Sequence, residues 1–181
     1  MINYLGNITL IIFINKLRFS PRIMYKLKKM FTFRILRMAY FSFFQSHLQY
    51  CITSYGNAFN STLKPLAVIQ RKCLKFMSNK SLRAETSNLF KNANILNFNG
   101  LYYYRTLCHL KKHFISFNFI LARSSRINLF TQDEKRNTTR GQMCMHWRSV
   151  ILLNAIKCNI NNQSKANLKK ISFKMMNAHL F

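Results

Sequence analysis

His109 and His113 stand four residues apart in "CHLKKHF", beside Cys108. On a helix that spacing turns both imidazoles to one face. Two histidines and a thiol could begin a zinc site, but zinc takes three or four ligands and no CxxC or similar pair completes the set. Cys144, His146 and Cys158 also miss the spacings of zinc knuckles. Exposed or hydrogen-bonded histidines are the plainer reading of both groups. Glu85, Asp133 and Glu134 are the whole acidic complement of 181 residues. Nucleotidyl transfer through two metals needs a set of carboxylates around cations roughly 4 Å apart, and glycoside hydrolysis needs a placed acid pair. Three acids, two of them adjacent, supply neither. Gly6, Gly56, Gly100 and Gly141 are too scattered for a phosphate-cradling loop. No intrinsic catalytic site and no cofactor site is expected.

Binding chemistry is better represented. Against three acids stand 29 Lys plus Arg, a net charge of +26 that cannot be neutralised internally. Such a surface attracts polyanions by releasing their condensed counterions, which makes nucleic acid (RNA, RNA-DNA hybrid or DNA) the default partner. The strongest candidates are the run Arg22, Lys26, Lys28, Lys29, Arg34 and Arg37, and the set Lys64, Arg71, Lys72 and Lys75. Tyr102, Tyr103 and Tyr104 with Arg105 could stack on single-stranded bases, although three consecutive residues of a helix point three ways and at least one belongs in a core. A solvated basic face, exaggerated by an AT-rich coding strand, is the plainer account of the charge.

A competing polyanion is the anionic membrane. The apolar run Ile8–Ile14 is too short for a span of roughly 20 residues, and Lys16 and Arg18 follow it where a secretion signal would place its basic residues first. No membrane partner and an intracellular location, nucleus or cytoplasm, are expected. Five cysteines without a framework read as free thiols.

The elements that position these residues are helical. Ser20-Pro21 reads as a capping hydroxyl and a first-turn proline, followed by a stretch without Gly or Pro up to Gly56. One long helix, broken at most once, is the simplest account. Gly56-Asn57 closes it, and Asn60 or Ser61 caps the next. There Leu63, Leu66, Gln70, Cys73 and Met77 recur at three and four, widened by Ile69 and Leu74. The expected fold is mainly α, a helical bundle fragment built on a long helical hairpin over about 21–77. Residues 92–100 read as a connector, 101–120 as a third helix, 131–142 as a polar loop, and 147–157 and 165–180 as further helices. The domain reading is a lead-in over 1–20, a helical region over 21–130, the loop, and a tail over 143–181.

The stretch "LRMAYFSFFQSHLQYCITSYGNAFNSTLKPLAVIQRKCLKFM", residues 36–77, resembles the region that follows the palm in reverse transcriptases of non-LTR retrotransposons of the jockey kind. Ser46, His47, Leu48, Tyr50, Ile52 and Gly56 match the "ShlxYgixxWG" string that follows that family's tyrosine-rich helix, and Gln70, Arg71, Lys72 and Lys75 match the helix after it. Downstream, Leu89, Phe90, Ile95, Leu96, Leu101 and Tyr102, then Thr139 and Arg140, then the closing "LLNAIKCNINNQSKANLKKISFKMMNAHLF" follow in the family's order. Departures are Tyr55 for a usual tryptophan, Cys51 for a glycine and Lys157 for a proline.

The resemblance implies a thumb and C-terminal region without fingers, palm or endonuclease: a truncated piece of an RNA-directed DNA polymerase, whose paired aspartates and magnesium would belong to a palm upstream of Met1. It would grip primer-template or element RNA non-specifically through the basic residues named above, with Phe43, Phe44, Leu48, Tyr50 and Tyr55 as its hairpin core. A translated relic with no selected activity, a free-standing basic nucleic-acid-binding protein, and a membrane-surface protein are the competing readings.

Overall fold

A computed structural model describes residues 11–50, 52–56, 58–113, 120–124, 127–131, 145–156 and 163–176. The chain is mainly α-helical and divides into two compact units, Met1–Phe98 and Asn99–Phe181. In the first unit α1 covers 11–17, followed by α2 (Ser20–Leu27), α3 (Phe33–Tyr40), a π turn (Phe41–Gln45), α4 (Ser46–Gln49), α5 (Ile52–Tyr55), α6 (Asn60–Met77) and α7 (Ser87–Asn92).

The long first arm of the hairpin is thus in pieces. It opens between α2 and α3 at "KKMFT", where aromatic and β-branched residues lose side-chain freedom in a helix and Thr32 is extended. The break lets α2 and α3 each lie against α6. Proline sits in the first turn of α2 as expected, but Ser20 is inside the helix, buried, and its hydroxyl caps nothing. Neither Asn60 nor Ser61 caps α6, which starts from Phe59 without a side-chain bond.

The string "FFQSHLQYCITSYGN" holds a second departure from a plain helix. In the π turn the Ser46 N–H reaches back five residues to the Phe41 carbonyl, and the Ser46 hydroxyl takes the Ser42 carbonyl instead. Tyr50 is extended with ψ 122 and ends α4. Phe44 and Leu48 are fully buried, as core residues should be. Phe43 and Tyr50 are not core: they are 43% and 74% exposed, because the π turn and the extended Tyr50 rotate them outward. Tyr55 is half-buried, donates to the Leu48 carbonyl and packs 5.6 Å from the Phe13 ring.

Helix α6 is where the periodicity is read most faithfully, since Leu63, Leu66, Ile69, Gln70, Cys73, Leu74 and Met77 are its buried residues. Gln70 is the one polar member. Its Nε2 donates at 2.9 Å to the Tyr40 hydroxyl oxygen and at 2.9 Å to the Leu96 carbonyl, so both amide hydrogens are used. Burial pushes the Tyr40 hydroxyl far above its ordinary value and the Cys73 thiol up to about 12.

No described glycine has a positive φ, so Gly56 does not end its helix in the left-handed conformation. Asparagines take that role, Asn79 at φ 49 and Asn94 at φ 53. After α6 the Lys80 N–H bonds the Lys75 carbonyl and the Asn79 N–H bonds that of Phe76. After α7 Ile95 pairs with Phe90 and Asn94 with Lys91 in the same way. Each is a Schellman ending with asparagine in place of glycine, and the buried Phe90 and Ile95 supply its usual apolar contact.

The second unit holds α8 (Phe98–His113) from its second residue on, an antiparallel hairpin of β1 (Ile120–Ser124) and β2 (Ile127–Thr131), α9 (Met145–Ile156) and α10 (Lys165–Met175). The hairpin pairs Ile120 with Thr131 and Ser124 with Ile127. It corrects the reading of 101–120 as helix to its end: α8 begins earlier, at Phe98, and Ile120 opens a strand rich in branched residues. Apart from Thr131, which closes β2, the 131–142 loop lies outside the described residues. Ser164 caps α10 by accepting from the Asn167 N–H at 3.2 Å.

Two outcomes test this core. Gln70→Leu leaves the Leu96 carbonyl and Tyr40 hydroxyl without their donor and should cost about 1–3 kcal/mol in urea unfolding, while Tyr40→Phe, which keeps the Leu96 bond, should cost less. Tyr40 and Cys73 both hold their protons more tightly in the folded chain, so their stabilising contribution is complete below pH 9.0, the thiol's ordinary pKa, and drains as pH rises towards 12. The melting temperature should therefore fall above about pH 9, and less steeply in Cys73→Ala.

Candidate functional site

The basic residues of α2 and α6 converge on one feature. Where the two helices pack, a groove of about 940 Å³ opens, and Pro21, Pro65, Val68, Ile69 and Phe76 are apolar members of its lining. Arg18, Arg22 and Lys26 line it from the α1–α2 side, Lys64 and Lys72 from α6. These five cations are exposed, and Glu85, the one acid outside 131–142, hydrogen-bonds Ser87. Pro65 has no N–H to return to the Ser61 carbonyl, and both residues line the groove.

At one side of the groove stands an aromatic pair that charge and periodicity do not reveal. Tyr25 and Phe76 meet edge to face with centroids 5.3 Å apart. The Lys28 ammonium lies 4.9 Å from the Tyr25 centroid and 5.5 Å from that of Phe76, and Lys29 is 5.8 Å from Tyr25. Such cation–π contacts contribute about 0.5–1 kcal/mol at exposed sites. The sequence signal was present as an aromatic flanked by lysines in "MYKLKK", but only the packing of α2 on α6 brings Phe76 to it.

The remaining candidates sort differently. Arg37 Nε donates at 3.0 Å to the Ala93 carbonyl at the end of α7, and its guanidinium lies 5.0 Å from the Phe41 ring centroid. Lys75 Nζ donates at 2.6 Å to the Leu82 carbonyl, and Arg71 Nε folds back on the Ala67 carbonyl at 3.3 Å. Arg37 and Lys75 thus hold the fold together through their charge. Arg34 is exposed on α3. Arg105 is half-buried on α8, in the other unit.

Tyr102 and Tyr103 are buried at 3% and 2% exposure, with rings 6.0 Å apart, so the expectation that this triplet presents a stacking surface is corrected for both. They are core because α8 turns its Leu101–Tyr103, Thr106, Leu107 and Leu110 face inward. His109 and Cys108 are half-buried on the same helix. Among the described residues no group of three His, Cys, Asp or Glu stands close enough to hold a metal ion, and the side chains of His113, Cys144, His146 and Cys158 lie outside the described residues. No helix among the described residues is long and apolar enough to cross a membrane.

The chain matches no protein-family model, no curated protein and no solved structure.

The two classes of cation separate by stability. Arg37→Met and Lys75→Met should each lower unfolding free energy by about 1 kcal/mol through the lost carbonyl bond, whereas Lys64→Met and Lys72→Met should leave it within about 0.5 kcal/mol.

Proposed function

We propose that the chain is a non-catalytic nucleic-acid grip, the C-terminal part of a retroelement RNA-directed DNA polymerase of the non-LTR kind. The observation that carries this reading is the α2–α6 groove, where Arg18, Arg22, Lys26, Lys64 and Lys72 face solvent around one concavity in a chain of net charge +26. A polyanion entering it exchanges its counterions for side chains that have no carboxylate to leave. Four of these five residues belong to the two basic sets that the family resemblance also marks. Polymerase chemistry would reside in a palm, since this sequence has three acids in all.

A palm partner also suits the apolar segment Met30, Phe31, Phe33, Ile35 and Met38, exposed between 41% and 78% around the α2–α3 break. Adjacent exposed apolar side chains of that size ordinarily lie under a partner. The same exposure favours a second reading, a translated relic that has lost its partner. Solubility and cooperative melting separate the two, because a marginally folded relic with its docking surface uncovered aggregates as it warms.

Fluorescence anisotropy with an RNA-DNA hybrid tests the grip. Binding should weaken linearly in log K against log salt, and the Arg22→Gln, Lys26→Gln, Lys64→Gln, Lys72→Gln variant should flatten that slope by about 3.6, at roughly 0.9 per lost phosphate contact. An unchanged slope, or binding no better than to polyaspartate, would rule the grip out.

A further inference from the structure

Resting on the reading of the α2–α6 groove as a polyanion grip, we infer that the strand it takes is unpaired: the groove seats bases of single-stranded nucleic acid against the Tyr25–Phe76 pair and its apolar lining, while Arg22, Lys26, Lys64 and Lys72 hold the phosphates. A duplex presents sugars and phosphates outward and keeps its base faces stacked inside. It has nothing apolar to lay on Pro21, Pro65, Val68 and Ile69, which line the groove together with the cations. An unpaired strand presents both chemistries at once, flat apolar faces on one side and a charged backbone on the other.

The placement of the cations fits that division. They come from both helices, α2 and α6, so a backbone running along either meets a positive charge while its bases turn to the apolar lining. Tyr25 is 46% exposed yet fixed by Phe76 at 5.3 Å, edge to face. A ring already held by a neighbour loses little freedom when a base stacks on it. Lys28, 4.9 Å from that ring, supplies a cation beside the stacked base, where it can turn from the π face to the adjoining phosphate. Aromatic faces accept every base, so the site is selective for unpaired strands and tolerant of sequence. The buried Tyr102 and Tyr103 offer no such surface.

The test uses the full chain and three fluorescein-labelled probes of equal phosphate number: an oligothymidylate, an oligomer of abasic deoxyribose phosphates, and a blunt hairpin duplex. The oligothymidylate should bind at least about tenfold more tightly than the abasic oligomer, the gain of one stacked base, and more tightly than the hairpin. Tyr25→Leu, which keeps an apolar side chain at an exposed position, should remove that preference without flattening the salt slope as loss of a groove cation does. Lys64→Gln with Lys72→Gln should do the reverse. Equal binding of thymidylate and abasic probes, or preference for the hairpin, overturns the single-strand site while the polyanion grip stands. Failure to bind any probe, with binding to phosphatidylserine vesicles instead, overturns both. The wild-type comparison of the three probes decides the matter even if a variant fails to fold.

Discussion

Gln70 is the point on which the first unit turns. It is 1% exposed, and a buried amide is tolerated only when its hydrogen bonds are made. Both of its N–H groups are spoken for, one by Tyr40 on α3 and one by the carbonyl of Leu96 beyond α7. Apolar packing alone would let α3 slide along α6. A directional bond at each hydrogen fixes which turn of α6 faces which residue of α3, and ties the chain after α7 to the same spot. With α3 and the 96 region held there, α2 is left to pack elsewhere on α6, where the groove opens.

Scarcity of acid shapes how the rest is held. Basic side chains ordinarily find carboxylates, but several among the described residues find carbonyls and rings. Arg37 takes Ala93, Lys75 takes Leu82 and Lys111 takes Gln163, all through backbone oxygens. Lys28 settles on Tyr25 and Phe76, Arg37 on Phe41, and Lys169 on Phe173. The aromatic richness and the basicity are therefore complementary parts of one solution. Backbone carbonyls and ring faces carry the partial negative charge that carboxylates do not supply among the described residues.

The helix that the sequence shows most clearly is α6, because its buried face follows the 3.6-residue repeat without interruption. The basic sets of α2 and α6 were legible too, as residue types, and Arg22, Lys26, Lys64 and Lys72 do meet at one groove. What could not be read is whatever depends on a bond between distant residues. Nothing local distinguishes Lys75 from Lys72, yet one is bonded to Leu82 and the other lines the groove. Phe43 and Phe44 are the same residue type side by side, and only the π turn decides which is buried. The end of α6 was legible at residue 77, but the means of ending was not, because asparagine does here what glycine usually does and a sequence with so many asparagines hides the two that matter, Asn79 and Asn94.

The π turn at Phe41–Gln45 is geometrically one residue too many in an otherwise α-helical path. Before it Tyr40 faces the core, Phe44 does so within it, and Leu48 does so again after it. The surplus is thus confined to a single loosened turn whose outward residue, Phe43, is exposed. A chain built this way carries slack in its register. Loss of one residue at that turn would tighten it to an ordinary α-helix and leave the buried faces on both sides in phase, whereas the same loss inside α6 would turn every core side chain downstream by about 100°. Length variation is consequently cheap at one place in this unit and ruinous a few turns away.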